Sequence, residues 1–287
     1  MKQAEVTYSM RSNELPDVHI EKPQYPIPID SVGISDIKLP PLRIGNGFLI
    51  PVFNVYVDLP KELRGAHLSR LYRVIWENYN LIQEKGFDGI LDLAVKIFES
   101  NDYAEKAIIE IHGEYFFESN KGLNHAILGC SVIYKKTQGV IRWVSYAEVE
   151  DVLACPCALK VSNFLFNTQA THMQKARVSL RVESSMQLIS PLTLLDLLIN
   201  TVNMPINLLS RKEEAIFVNK IFSEPRFTED AARKVLTMFF KKHGKILNPN
   251  DTVFVEVVSF ETIHQYRVVS RVGGRVEEFK HIYGEDK

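Results

Sequence analysis

Twice along this chain a strand-like run gives way to helical periodicity and then to two further strand-like runs. In the first pass, Phe48–Val57 (FLIPVFNVYV) is rich in β-branched and aromatic residues and reads as a strand. Two stretches, 67–84 and 88–100, follow with apolar residues at helical spacing. Ala107–Phe117 and Ala126–Tyr134 then read as strands, with turn chemistry between them at Asn120-Lys121-Gly122. In the second pass, Gly139–Val149 and the cleanly alternating Ala176–Glu183 read as strands. Pro191–Asn203, Glu213–Phe222 and Phe227–His243 read as helices, the last capped by Thr228 or a neighbour. Thr252–Phe260 and Tyr266–Val272 close the pattern as strands. This order implies an α+β chain with antiparallel sheets and helices packed on one face. No sequence repeat matches it, so the duplication rests on element order alone. Residues 1–28 are polar and hold four prolines, the composition of an extended arm. The expected division is therefore an arm over 1–28, a first module over 29–138 and a second over 139–287.

With 46% hydrophobic and 24% charged residues the chain can build a substantial core. A formal net charge of -1 gives no general attraction to nucleic acid or anionic membrane, and no basic stripe interleaved with aromatics stands out. Three cysteines, two of them one residue apart, do not make a disulfide framework and fit a reducing, cytoplasmic setting. The segment MKQAEVTYSMRSNELPDVHIEKP has no apolar core of a secretory signal, and charges break every apolar run before a membrane-spanning length.

The chemistry concentrates at Cys155-Pro156-Cys157 and at Thr171-His172-Met173-Gln174 shortly after it. Thiolate and imidazole together suit a divalent transition metal, and the proline biases Cys155 toward an extended conformation. Glu214 and His264 add a carboxylate and a second imidazole further on. Such a set suits Zn²⁺ or Fe²⁺ with a position left open for water, whose pKa the metal lowers toward neutrality. Spacing alone does not gather these four, since lone histidines are mostly surface or core residues and a Glu in a charged run usually faces solvent. Cys157 is either a proton-transfer partner beside the metal or a buried inert thiol, and Cys130 belongs to core packing. Glu229 is either a general acid or base or a first-turn acid favoured by the helix dipole. Glu261 can accept two N–H bonds from a guanine-type edge, or serve as an edge-strand charge. At Gly65-Ala66-His67-Leu68-Ser69-Arg70, a strand-to-helix junction, His67 and Arg70 offer a phosphate site, or a simple cap and a surface Arg.

Taken in order, these segments resemble the type IB GTP cyclohydrolases, including their archaeal branch. The matching stretches are Val32-Gly33-Ile34, DLPKELRGAHLSR (58–70), ACPCA (154–158), THMQKARVSL (171–180), LLSRKEE (208–214), EPRFTED (224–230) and SFETIH (259–264). The resemblance implies a tunnelling fold of two similar modules per subunit and a homotetramer with active sites at subunit interfaces. It makes Cys155, His172, Glu214 and His264 the ligands of a divalent metal (Zn²⁺, Fe²⁺ or Mn²⁺). Cys155, Cys157, Glu229 and His264 become catalytic residues. Glu261 becomes the purine anchor, with His67, Arg70, Gln174, Lys175 and Tyr266 also on the substrate. The substrate implied is GTP: hydroxide attacks C8, the imidazole ring opens, formate leaves, and the ribose rearranges into a dihydropterin triphosphate or its 2′,3′-cyclic phosphate.

Three departures from the family pattern stand out. The stretch between Cys157 and His172 is longer than in the common bacterial form. Lys175 replaces an arginine, and Tyr266 stands where a second histidine is usual. Two other classes remain open from sequence: a tunnelling-fold purine or pterin enzyme with a cysteine nucleophile, and an inactive binding protein.

Overall fold

The computed structural model describes residues 16–119 and 122–283. The strands are β1 (Ile29–Lys38), β2 (Leu42–Ile44), β3 (Gly47–Leu59), β4 (Lys106–Ser119), β5 (Gly122–Lys135), β6 (Gly139–Ala154), β7 (Met173–Ser184), β8 (Thr252–Phe260) and β9 (Arg267–Arg275). The helices are α1 (Leu68–Asn78), α2 (Asn80–Lys85), α3 (Ile90–Ser100), α4 (Pro156–Phe166), α5 (Pro191–Ile199), α6 (Arg211–Ser223), α7 (Thr228–His243) and α8 (Lys280–Tyr283).

One antiparallel sheet carries all nine strands in the order β1-β3-β4-β5-β6-β7-β8-β9, with β2 folded back on β3. The α+β architecture expected from the sequence is what forms. Alternation decides which face is covered: Leu49, Phe53, Val55 and Val57 of β3, and Val178, Leu180 and Val182 of β7, are fully or almost fully buried. Their neighbours in sequence point the other way. Helices cover the buried side. α3 lies on β4 and β5, α5 on β5, β6 and β7, and α7 on β8 and β9. α7 earns its place with Ala231, Ala232, Val235, Leu236, Phe239 and Phe240, an apolar stripe at helical spacing. Element order is strand pair, helices, strand pair on each side of the β5–β6 junction. The sheet runs through that junction without a break, Tyr134 pairing with Val140.

The structure differs from the sequence expectations in several places. The helix expected over 67–84 is two, broken at Tyr79, and 86–89 is a 3-10 turn leading into α3. α5 stops at Ile199, and Asn200 Nδ2 donates to Asp196 O at its end. α7 starts at Thr228 with Phe227 in the cap position, where the Phe227 N–H donates to Asp230 Oδ2. β1 and β2 were not foreseen, because β1 is exposed along most of its length and β2 is only three residues long. The helix α4 was missed as well, since its apolar residues face no core and leave no amphipathic signature. Asn120 and Lys121 lie outside the described residues, as does the arm up to residue 15. Residues 16–28 hold a 3-10 turn at Val18–Ile20 and no strand.

Pro51 sits inside β3, opposite Gly113 of β4. Proline cannot donate to the ladder, and a Cβ at Gly113 would come within 1.9 Å of the Ile50 carbonyl oxygen. The pair is therefore a close backbone approach that only glycine accommodates. Gly113→Ala is expected to destabilise the fold by about 1–3 kcal/mol through forced strand separation. Urea denaturation checks this, and an unchanged midpoint would contradict the close-packing account.

Candidate active site

Backbone pairing brings the cysteine corner together with His172. β6 ends at Ala154 opposite Met173, and the next N–H, of Cys155, donates to His172 O at 3.2 Å. Thr171 Oγ1 donates to Cys155 O at 2.7 Å and ties the returning chain to the same point. Cys155 is then the N-cap of α4, with φ -73° and ψ 114°, and Pro156 opens the helix. Proline is suited to that first turn, where its missing N–H has no partner to lose. Cys155 Sγ accepts from Ala158 N at 3.4 Å, so the thiol faces back over the helix start. Between the corner and His172 the chain runs through α4 and then residues 167–171 before β7 begins.

A cavity of about 190 Å³ opens here, lined by Cys155, His172, Gln174, Arg226, Phe227, Thr228, Glu229, Glu261, His264, Tyr266 and Val268. Seven of the residues singled out from the sequence therefore share one wall-to-wall space: Cys155, His172, Gln174, Glu229, Glu261, His264 and Tyr266. Glu261 is held by Ser259, whose hydroxyl donates to Oε1 at 2.6 Å. The rings of His264 and Tyr266 stack at 4.8 Å with 10° between their planes. Thr228 Oγ1 donates to Glu229 Oε2 at 3.0 Å and shares a hydrogen bond with Ser270 Oγ at 2.7 Å. Two buried polar atoms in the cavity wall, His172 Nδ1 and Gln174 Oε1, have no hydrogen-bond partner in the protein. Such atoms are costly to leave unmatched, and both of these residues line the cavity.

The other expected residues lie elsewhere. Cys157 is exposed on α4. Lys175 points to the opposite side of β7, where it pairs with Glu150 at 2.7 Å. Glu214 is exposed in the first turn of α6 and does not line the cavity. His67 and Arg70 stand at the start of α1. There the His67 N–H donates to Tyr103 Oη at 3.2 Å, and Arg70 Nη1 donates to Ser100 O at 3.2 Å. Burial is the main cause that holds the His67 imidazole below its usual pKa, with Arg70 acting in the same direction. Among the described residues, one group of metal-ligating side chains has its ligand atoms within 4.8 Å of one another: Asp17, His19 and His67. Cys155, His172 and His264 do not converge to that distance, although they share the cavity.

Sequence reasoning overlooked Arg226, which fastens the site from below. Its N–H donates to Ala154 O at 3.1 Å, and its guanidinium donates to Thr201 O at 3.4 Å and pairs with Glu224 at 3.5 Å. Beside it, Asp151 of β6 is fully buried and accepts from Asn203 N at 2.7 Å. Burial raises the Asp151 pKa to about 6, opposed by the Asn203 N–H and by the charge of Arg226. The signal for Arg226 was present in EPRFTED, but its role depends on contacts with β6 and with the turn after α5.

A thiol, two imidazoles and two carboxylates around one cavity at the end of a sheet define an enzyme active site. A family model described as type I GTP cyclohydrolase folE2 matches residues 15–270, and the chain belongs to this family. It is 30% identical to the GTP cyclohydrolase FolE2 of Thermosipho africanus over 271 residues, covering 91% of this chain and 99% of that protein. It is 27% identical to the GTP cyclohydrolase MptA 1 of Methanocella arvoryzae, covering 90% and 92%. Among solved structures, the uricase of Arthrobacter globiformis aligns with a TM-score of 0.45 and 10% identity, over 85% of this chain and 93% of its own.

The raised Asp151 pKa has a definite sign in stability. Between the unfolded value of 3.8 and the folded value of about 6, the native state binds more protons than the unfolded state. Its contribution to stability therefore falls as pH rises through that window. Asp151→Asn is expected to flatten the stability profile between those pH values, as read from urea midpoints. Equal slopes in the two proteins would contradict the assignment.

Proposed function

We propose that this chain is a GTP cyclohydrolase. It opens the imidazole ring of GTP by hydrolysis and releases formate. The product is 7,8-dihydroneopterin triphosphate or the corresponding 2′,3′-cyclic phosphate, for folate or tetrahydromethanopterin synthesis. The observation that carries this reading is the gathering of Cys155, His172, Glu229, Glu261 and His264 around one cavity, although they come from four separate segments of the chain. Membership of the family and the printed activities of its relatives supply the reaction class.

The donor set is of the kind a divalent metal takes, although its ligand atoms do not converge in this structure. His172 offers a buried nitrogen without a partner, and Cys155 a thiol beside it in an open-ended cavity. Cys155, His172 and His264 would hold the ion, with Glu214 joining if α6 shifts or if a neighbouring subunit presents its own copy. A metal bound there would supply Lewis-acid activation of water and ring. Glu261, oriented by Ser259, accepts N–H bonds from the guanine edge and fixes the purine in one register. Gln174 offers its unmatched amide oxygen to a substrate donor. Glu229 takes and returns protons as the ring opens, while the stacked His264 and Tyr266 form an aromatic rim on the open side of the cavity.

The working unit is a homo-oligomer, a tetramer on the family pattern, of paired modules 29–138 and 139–287 in the cytoplasm. Two features support assembly. α4 presents Val161, Phe164, Leu165 and Phe166 to solvent, with Phe164 87% and Phe166 70% exposed. Among the described residues, the sheet also ends in unpaired edges at β1 and β9. In an assembly, His67 and Arg70 would serve the phosphate groups of a substrate bound to a neighbouring subunit.

Cys155→Ala is expected to lower formate release from GTP by about 100-fold or more, with mass analysis of the product separating triphosphate from cyclic phosphate. Full turnover in that variant would overturn the mechanism. Light scattering on the native chain and on a Phe164→Asp, Phe166→Asp variant is expected to show an oligomer for the first and smaller species for the second. A fully active native monomer would refute the interfacial arrangement.

A further inference from the structure

Asp17, His19 and His67 are not used by the cavity, yet they form the tightest cluster of potential metal ligands among the described residues. Asp17 Oδ1 lies 3.0 Å from His19 Nδ1, and Asp17 Oδ2 lies 3.8 Å from His67 Nε2. The two imidazole rings face one another at 4.5 Å, tilted by 39°. In a tetrahedral zinc site with bonds near 2.1 Å, neighbouring ligand atoms are about 3.4 Å apart. The ligand atoms of the three residues lie within 4.8 Å of one another, wider than that value, so side-chain rotations would be needed to close a site.

The backbone is arranged to keep these groups together. The carbonyl of His19 accepts from both Arg64 N at 3.0 Å and Gly65 N at 3.3 Å. Glu21 and Arg64 form an ion pair at 2.6 Å on the same turn. A Cβ at Gly65 would stand 3.2 Å from His19 Cδ2, so the glycine gives the ring its room. Asp17 also caps its own turn by accepting from His19 N at 3.1 Å. The carboxylate at His67 changes what this corner attracts. His67 and Arg70 alone would suit an anion, and with Asp17 and a second imidazole added the corner can hold a cation whose open position receives an anionic oxygen such as a phosphate's.

We propose that Asp17, His19 and His67 form a second metal site that takes a borderline divalent cation such as Zn²⁺ and fastens the 17–21 turn to the start of α1. Two nitrogens and one carboxylate oxygen select zinc, or a comparable transition ion, over Mg²⁺ or Ca²⁺, which prefer oxygen ligands. His19 would bind through Nδ1 and keep its proton on Nε2, and His67 would bind through Nε2 and keep its proton on Nδ1. The hydrogen bond now joining His19 to Asp17 is replaced, and a fourth position stays open to water or an anionic oxygen. The site is independent of the Cys155 corner.

The test uses the full chain, stripped with a chelator, reloaded with Zn²⁺ alone, desalted and assayed for metal by mass spectrometry. A Cys155→Ser, His172→Ala variant is expected to retain about one zinc per chain, and adding Asp17→Asn and His19→Gln to it is expected to remove that zinc. Asp17 and His19 are exposed, so the second pair of changes leaves the core untouched. In the Cys155-deficient background, Co²⁺ is expected to give a visible spectrum without the thiolate charge-transfer band. No zinc in the Cys155-deficient variant, or zinc that survives loss of Asp17 and His19, would overturn the proposal. If instead the Cys155 changes alone leave the zinc content of the native chain unaltered, the corner reading fails and this one stands or falls on the Asp17 and His19 variant.

Discussion

The N–H of Cys155 donates to the carbonyl of His172 across the ends of β6 and β7, and the arrangement of the active-site cavity follows from it. That bond is the next rung of a ladder that runs from Trp143↔Ser184 to Ala154↔Met173. Because antiparallel register is fixed by which face must be buried, a slip of one residue would turn every β6 and β7 side chain over. The corner therefore inherits its geometry from the whole core beneath it. Pro156 and the cap on α4 then turn the thiol toward the cavity.

Below the corner a small polar group holds the remaining wall. Asp151 accepts from Asn203, and Val152 N donates to Asn203 O at 3.0 Å, so the turn after α5 is stitched to β6. Arg226 adds bonds to Ala154 and Thr201, which places the segment Phe227-Thr228-Glu229 over the cavity. A largely buried guanidinium and a buried carboxyl are costly to desolvate, and neighbouring charge offsets part of that cost for each. Burial also lowers the pKa of Lys234 nearby, with Arg226 adding to the effect. The dry side of the active site is thus a charged scaffold, while the open side is aromatic and acidic.

Much of the architecture was legible because it is periodic. Alternation marks β7 and β8 within a few residues of their limits, and the apolar spacing of α7 gives both of its ends nearly correctly. Elements without a core face were not legible. α4 has no buried residue, and β1 is exposed along most of its length, so neither carries the contrast that periodicity requires. The resemblance of short segments named the family, and seven of the residues drawn from it meet in one cavity. Glu214, Lys175, Cys157, His67 and Arg70 do not line it, since a segment match fixes a residue's place in the chain and not its distance from another segment.

The amino-acid sequence by itself determined the α+β class, the order of elements, the family and the thiol-imidazole corner. Each of these is written in local spacing or in short contiguous motifs. Only the tertiary structure decided that Arg226 and Asp151 brace the site, that Glu261 is oriented by Ser259, and that Asp17 and His19 reach His67. These contacts join residues far apart in the chain, or depend on side-chain direction, and both are set by how the sheet twists and how the helices seat on it. Local pattern carries no information about that closure, because the same alternation is compatible with many packings until one core is filled.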